Sequence, residues 1–158
     1  MSASLRGEAM IAASAEAIWA VIEDPAALAR VLPGAESVVR DGPTRFHGVM
    51  TSRIQFMTIR ADITAELFDA IPPHHLRLDI EGRPRGLAGH FRVSVPFDLL
   101  PEGSRTDTKV QYSIDLTVSG RLAAFGEPIL RETLRRQVEE LVVNLGREIA
   151  QETGHAPA

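Results

Sequence analysis

Hydrophobic residues recur at two different periods along this chain, and the change of period divides it into parts. Between Ser37 and Ser119 the dominant period is two, which is typical of strands with one buried face. After Gly120 the hydrophobic residues recur at helical spacing as far as Ile149. We therefore expect an antiparallel sheet followed by one long helix, with a shorter mixed segment before them.

The mixed segment before the sheet predicts one strand and two short helices. The stretch LRGEAMIA alternates weakly and predicts the first strand. Ser14 is a favourable N-cap for the helix AEAIWAVIED. Asp24 can cap a second helix that begins at Pro25 and ends at Pro33-Gly34. The two short helices are therefore expected back to back.

Within the sheet region, two alternating runs of opposite phase meet at Phe56 and Met57. A slip of one residue moves every side chain to the other face, so a turn or bulge is required between these runs. Further alternating runs begin at Leu76, Phe91 and Val110, and turn sequences separate them. The pattern predicts a meander with one apolar face and one solvated face.

The apolar stripe of the last helix predicts how that face of the sheet is covered. Pairs such as Glu127-Arg131 and Glu132-Arg136 lie four residues apart and indicate a solvated opposite side. A helix that spans a strongly bent sheet leaves a gap, and that gap is a candidate pocket. We expect an α+β fold in which residues 1–152 form a single domain and residues 153–158 a flexible tail.

Composition and charge narrow the classes of function. The net charge of −4 and the pI near 5.7 argue against a nucleic-acid partner held by phosphate contacts. The absence of cysteine excludes disulfides, thiolate chemistry and cysteine-based metal sites. No apolar run approaches the roughly 20 residues that span a bilayer. The opening MSASLRGEAM lacks the apolar core of a signal peptide. We expect a soluble cytoplasmic protein.

Strand parity predicts little catalytic chemistry inside the sheet. The inward polar side chains are Ser52 and Tyr112, and the Tyr112 hydroxyl could orient a carbonyl or quinone oxygen or could be satisfied by backbone. No general base stands out, so we expect no catalytic residue and favour a binding protein over an enzyme. The remaining polar strand residues share the outward phase: His47, His75, Arg77, Asp79, His90, Arg92 and Asp115.

A metal site is not predicted either. His74 and His75 are adjacent, and adjacent residues of an extended segment point to opposite faces. No second pair of ligands follows at a recognisable spacing. We interpret these histidines as part of a surface turn.

Strand parity assigns most of a set of side chains to the expected cavity, and the first half of the last helix's apolar stripe adds Leu122, Phe125, Leu130 and Leu134 if the sheet curves away there. The full set is Met50, Ser52, Ile54, Phe56, Ile63, Leu67, Leu78, Phe91, Val93, Val95, Tyr112, Ile114, Leu122, Phe125, Leu130 and Leu134.

The stretch RIQFMTIR brings large apolar side chains to a turn between two arginines. One interpretation is a docking tip for a membrane surface or a partner enzyme, and the other is a continuation of the strands that lines the cavity mouth. The arginines of the loop EGRPRGLAG could meet an acidic partner or simply be solvated. The candidate docking or mouth residues are Arg53, Met57, Ile59, Arg60, Arg83 and Arg85.

Three ordered motifs resemble the CoxG-like family, which takes its name from a subunit of carbon monoxide dehydrogenase and lies in the START/Bet v 1-like (SRPBCC) helix-grip superfamily. They are AIWAVIEDPAALARVLPGAESV, EGRPRGLAGHFRVSV and VSGRLAAFGEPIL, which together extend over most of the chain. The family pattern is a Trp-containing helix, Asp-Pro, a leucine-rich turn and Pro-Gly, and it matches Trp19, Asp24 and Pro33 among others. Where the family usually has a glycine-rich turn, this chain has RIQFMTI instead.

The resemblance implies a helix-grip fold, with a sheet of about seven strands and a hydrophobic cavity under the long helix. Family members are typically encoded near molybdenum hydroxylases of the carbon monoxide dehydrogenase type. They are implicated in recruiting that enzyme to the membrane and in binding a quinone that accepts its electrons. The resemblance thus implies no intrinsic cofactor, a bound quinone or lipid, and a molybdenum hydroxylase and the inner membrane surface as partners.

Two other functions remain open on the sequence. The first is an enzyme of the same superfamily, a cyclase or dehydratase that acts on an aromatic or polyketide substrate. That function requires at least one inward acid-base pair. The second is an assembly factor with a collapsed cavity.

Overall fold

The computed structural model describes residues 1–102 and 104–153, and it leaves out the side chains of residues 102, 104–106, 152 and 153. The strands are β1 Ser2–Ile11, β2 Ala35–Arg40, β3 Arg45–Ile54, β4 Met57–Ile71, β5 His75–Pro84, β6 Gly89–Glu102 and β7 Ser104–Gly120. The helices are α1 Ala15–Glu23, α2 Pro25–Val31 and α3 Glu127–Thr153, and a 3₁₀ turn, Arg121–Phe125, precedes α3. The expected tail lies outside the described residues, apart from residue 153, which ends α3.

All seven strands form one antiparallel sheet in the order β1-β7-β6-β5-β4-β3-β2. Consecutive strands from β2 to β7 are neighbours, as the alternating runs predict. β1 is placed on the far side of β7, so that β1 and β2 form the two edges. The predicted α+β helix-grip fold, with two short helices and one long C-terminal helix, is confirmed.

The predicted helix starts are also confirmed. The Ser14 hydroxyl accepts a hydrogen bond from the Ala17 backbone N–H at 3.1 Å. The Asp24 carboxylate accepts one from the Ala26 N–H at 3.0 Å. Each side chain thereby satisfies one of the free amides at a helix start.

Gly34 joins α2 to the sheet at a position where only glycine fits. Its φ is +73°, which is the left-handed region, and a Cβ there would overlap the backbone carbonyl oxygen of Thr51. The backbone of Gly34 therefore lies directly against β3, and the two short helices are held at that end of the sheet.

Two clusters of buried side chains close the two ends of the grip. Near the short helices, Ile18, Trp19 and Val21 of α1 pack with Leu76, Leu99 and the last turns of α3. Near the β3–β4 hairpin, Ile54 and Ile59 pack with the end of β7 and the first turns of α3. Helix α3 thus crosses the sheet and is anchored at both ends. None of the described helices is both long and apolar enough to cross a membrane.

A candidate ligand cavity between the sheet and the last helix

A cavity of about 310 Å³ lies between the two clusters, bounded by the sheet and the inner face of α3. Its walls come from β1, β3 to β7 and all three helices. The volume lies at the lower end of the range found for small-molecule sites, roughly 300–1,000 Å³. The gap expected beneath the helix is therefore present.

The cavity wall is almost entirely apolar. Among the described lining residues none is charged, and the polar side chains are Ser52, Tyr112, Thr133 and Gln137. The Thr133 hydroxyl donates to the Ile129 carbonyl at 2.9 Å. The Gln137 amide donates to the Ser52 hydroxyl at 2.7 Å, which ties α3 to β3.

Tyr112 differs from the other polar lining residues, because its hydroxyl forms no hydrogen bond with any residue of the described part of the chain. Burial raises its pKa above the ordinary value of 10.0, and the negative charge of Glu139 raises it further. The phenol is therefore neutral at physiological pH and can donate its proton to a hydrogen-bond acceptor.

Two aromatic rings of the wall lie directly over glycines of the neighbouring strand. Tyr112 pairs with Gly7 across β7 and β1, and a Cβ on Gly7 would lie 2.7 Å from Tyr112 Cζ. Phe91 pairs with Gly82 across β6 and β5, and a Cβ on Gly82 would lie 2.6 Å from Phe91 Cε2. Real Cβ atoms do not approach other atoms this closely, so both rings occupy space that only glycine leaves free.

Most of the side chains that strand parity and the helical stripe assign to the cavity do line it. They are Met50, Ser52, Ile54, Leu67, Leu78, Phe91, Val93, Val95, Tyr112, Ile114, Leu122, Leu130 and Leu134. Their contact with a ligand stays a prediction.

Three of the predicted cavity residues are placed elsewhere. Phe56 lies in the two-residue turn between β3 and β4 and is 95% exposed, because the strand ends at Ile54 and parity no longer applies. Ile63 is buried but does not line the cavity, since the Phe91 ring lies over its cross-strand neighbour Gly82. Phe125 packs against the cluster at the hairpin end.

The cavity also includes residues that strand parity did not assign. The short helices and the link after them contribute Ile18, Val21, Ile22, Leu28, Val31, Leu32 and Pro33. The middle turns of α3 contribute Gln137, Val138, Leu141, Val142 and Leu145. Gln137 follows Leu134 by three residues, so helical spacing could have placed it on the same face.

The predicted docking residues of the hairpin divide into exposed and buried ones. Met57 is 45% exposed beside Phe56, whereas Ile59 is buried and lines the cavity. Arg53 is exposed, and its backbone carbonyl accepts a hydrogen bond from Arg136 at 3.1 Å. Arg60 is exposed and forms an ion pair with Glu36 at 2.6 Å. Only part of this segment is therefore a surface tip.

The arginines of the β5–β6 segment lie on the surface. Arg85 forms an ion pair with Asp62 at 2.6 Å, and this hydrogen bond lowers the pKa of the Asp62 carboxyl. Arg83 is exposed and precedes Pro84 at the end of β5. The pairing of Arg85 with a neighbouring strand favours the solvated interpretation at that position.

The polar strand residues assigned to the outward phase form pairs on the convex face. His75 Nδ1 lies 2.8 Å from Asp98, His47 Nδ1 lies 2.9 Å from Asp41, and Arg92 pairs with Glu81. No group of three or more metal-ligating side chains occurs in the described ranges.

Several solved structures share this architecture. A conserved protein from Geobacillus kaustophilus is 22% identical, with a TM-score of 0.86 over 96% of this chain and 97% of its own. A START superfamily protein from Mycobacterium smegmatis is 16% identical, with a TM-score of 0.72 over 95% of this chain and 99% of its own. An aromatase/cyclase from Streptomyces sp. R1128 is 13% identical, with a TM-score of 0.69 over 99% of this chain and 98% of its own. These similarities show the fold.

Comparison of sequences identifies the family more specifically than the shared fold does. No curated protein matches this chain. A family model does match, and it is that of CoxG, a subunit of carbon monoxide dehydrogenase, which aligns with residues 7–150. Because the match extends over nearly the whole described chain, the protein belongs to the CoxG family.

Proposed function

We propose that this protein is a non-enzymatic carrier that holds a hydrophobic ligand, a quinone or a similar lipid, beneath α3. The observation that carries the proposal is the 310 Å³ cavity, whose described lining residues include no charged group. Burial of ligand hydrocarbon against such a wall contributes roughly 25 cal/mol per Å². Affinity then depends mainly on shape and apolar area, and few polar contacts are needed.

The carrier would serve a molybdenum hydroxylase of the carbon monoxide dehydrogenase class. Membership of the CoxG family supports this partner. A quinone held in the cavity would accept electrons from that enzyme, and the protein itself would need no cofactor. Exchange of the quinone would take place at the inner membrane surface, where such ligands dissolve.

The β3–β4 tip, Gln55 and Phe56, is the surface best suited to that membrane contact. Phe56 is almost fully exposed at its apex, beside the partly exposed Met57. Neither Arg53 nor Arg136 forms an ion pair with a described residue, so both cations remain available for anionic headgroups. Ile59 of the same hairpin lines the cavity, which connects the tip to the ligand site.

Organic extraction of the purified protein tests the carrier function. We expect the extract, and native mass spectra of the intact protein, to contain a quinone or lipid in proportion to protein. A protein that yields no ligand and does not bind added quinone would overturn the proposal.

Flotation with vesicles that contain anionic phospholipid tests the membrane contact of the tip separately. We expect Phe56→Ser to weaken vesicle binding. The matched control is Val143→Ser, which changes an exposed valine on α3.

A cyclase or dehydratase is the second candidate, and the free Tyr112 hydroxyl is the observation that favours it. The described cavity wall offers no acid or base to work with this phenol. Formation of a cyclised product from an aromatic polyketide mimic, abolished in Tyr112→Phe, would establish the enzyme. An assembly factor with a collapsed cavity does not fit the volume under α3.

A further inference from the structure

We propose that Tyr112 donates a hydrogen bond to a carbonyl oxygen of an uncharged ligand. The cavity would then select quinones and ketones over hydrocarbons of the same shape and over ionised lipids. This inference rests on the carrier function proposed above and specifies the chemical class of its ligand.

Among the polar side chains of the described wall, Tyr112 is the one whose hydroxyl forms no hydrogen bond with a described residue. Among the described lining residues, Thr133 is satisfied by a backbone carbonyl, and Ser52 and Gln137 are bonded to each other. Tyr112 is partly buried, and a phenol hydroxyl beside an apolar wall is stabilised when it donates a hydrogen bond to an acceptor. A ligand acceptor would supply the missing partner.

The position of the ring is fixed by the strand beside it. Gly7 lies opposite Tyr112 in the register of β1 and β7, and a Cβ there would overlap the end of the phenol ring. Glycine inside a strand is unfavourable and often marks a close approach by another group. Here it leaves room for the ring to lie along the wall, with its hydroxyl end over β1.

The charge of the site determines which acceptor fits. The described lining residues provide no cation for a carboxylate or phosphate, and Glu139 lies close enough to raise the pKa of Tyr112. An ionised headgroup buried here would find no oppositely charged partner among the described lining residues. A neutral carbonyl oxygen accepts the phenol proton without that penalty.

The experiment uses two ligands of nearly the same shape, menadione and 2-methylnaphthalene, which differ by the two carbonyl oxygens. Both are titrated against protein loaded with the neutral fluorophore N-phenyl-1-naphthylamine, and displacement gives each affinity. The chain contains no cysteine, so menadione cannot form a thiol adduct. Sodium decanoate serves as the ionised competitor.

We expect Tyr112→Phe to weaken menadione binding about two- to tenfold and to leave 2-methylnaphthalene within about twofold of wild type. Decanoate should be the weakest competitor of wild type. The inference would be overturned if Tyr112→Phe weakened both ring ligands equally, if it left the affinity for menadione unchanged, or if decanoate bound wild type as tightly as menadione. The protein could then still be a carrier of a different hydrophobic ligand. Wild-type protein that binds neither ring ligand and yields no extractable lipid would overturn the carrier function as well.

Discussion

The wall of the cavity contains two aromatic-glycine pairs that differ by one oxygen atom. Tyr112 lies over Gly7 and Phe91 lies over Gly82, each across a pair of antiparallel strands. Both rings are partly buried, and both line the cavity. Because both pairs contain a glycine, we infer that the glycines preserve the shape of the cavity. Only the pair of Tyr112 and Gly7 has a hydroxyl, and this group provides the hydrogen-bonding chemistry of the cavity.

Shape and chemistry can therefore be changed separately in this protein. A Cβ on either glycine would push the neighbouring aromatic ring toward the ligand space. Adding or removing a phenol hydroxyl would alter hydrogen bonding and change the cavity volume little. The first kind of change forces a ring out of its place and reduces the ligand space, so it should have the larger effect.

Gly82→Ala is expected to produce the largest effect. The new Cβ would overlap the Phe91 ring at several atoms, so the ring must turn into the cavity. We expect a loss of about 1–3 kcal/mol in the free energy of unfolding, measured by urea denaturation. Affinities for menadione and 2-methylnaphthalene should both fall. Unchanged affinity for both ligands would show that this pair does not shape the cavity.

Gly7→Ala should act in the same way but more selectively. The new Cβ meets the end of the Tyr112 ring, including its hydroxyl, so the hydroxyl is displaced without being removed. We expect a destabilisation of about 1–2 kcal/mol and loss of the preference for menadione over 2-methylnaphthalene. Displacement titrations give the preference directly, and its retention would contradict the positioning role of Gly7.

Phe91→Tyr adds a hydroxyl to the other aromatic-glycine pair. A new phenol oxygen would enter surroundings where nothing in the described wall is placed to accept its proton, and we expect a loss of about 1 kcal/mol in unfolding free energy. In the double variant with Tyr112→Phe, menadione affinity should stay low. Full recovery of menadione binding would mean that the position of the hydroxyl is unimportant.

The smallest expected effect is on the pH dependence of stability. The pKa of Tyr112 is raised in the folded protein, so the unfolded chain loses this proton first as the pH rises. The contribution of the Tyr112 proton to the free energy of unfolding is fully present below about pH 10, the pKa of an unfolded tyrosine. It is lost as the pH rises through the pKa of Tyr112 in the folded protein. When the free energy of unfolding from urea denaturation is plotted against pH, the curves of wild type and Tyr112→Phe should differ in slope only above about pH 10. A difference that develops between pH 6 and 9 would contradict a neutral phenol.

The fold was predictable because its signals are local and repeated. The change from period two to helical spacing at Gly120 predicts the sheet and the long helix, and the caps at Ser14 and Asp24 predict the short helices. Parity along the strands also assigns most of the wall. It fails at Phe56, because Gln55 has a φ of +54° and the strand ends before it.

The features that give the cavity its character were harder to predict. The pairing of Gly7 with Tyr112 joins residues far apart in the chain, and alternation does not supply that register. Helical spacing allows Gln137 on the inner face of α3, but it does not reveal the Ser52 hydroxyl that accepts a hydrogen bond from its amide there. In both cases the missing information is the contact between distant segments.

A crystal structure of the protein with menadione would show whether Tyr112 binds a carbonyl oxygen of the ligand. We expect the naphthoquinone ring beneath α3, with one carbonyl oxygen roughly 2.7 Å from the Tyr112 hydroxyl. A cavity that remains without ligand at saturating menadione, or a quinone bound with both carbonyl oxygens away from Tyr112, would contradict this expectation.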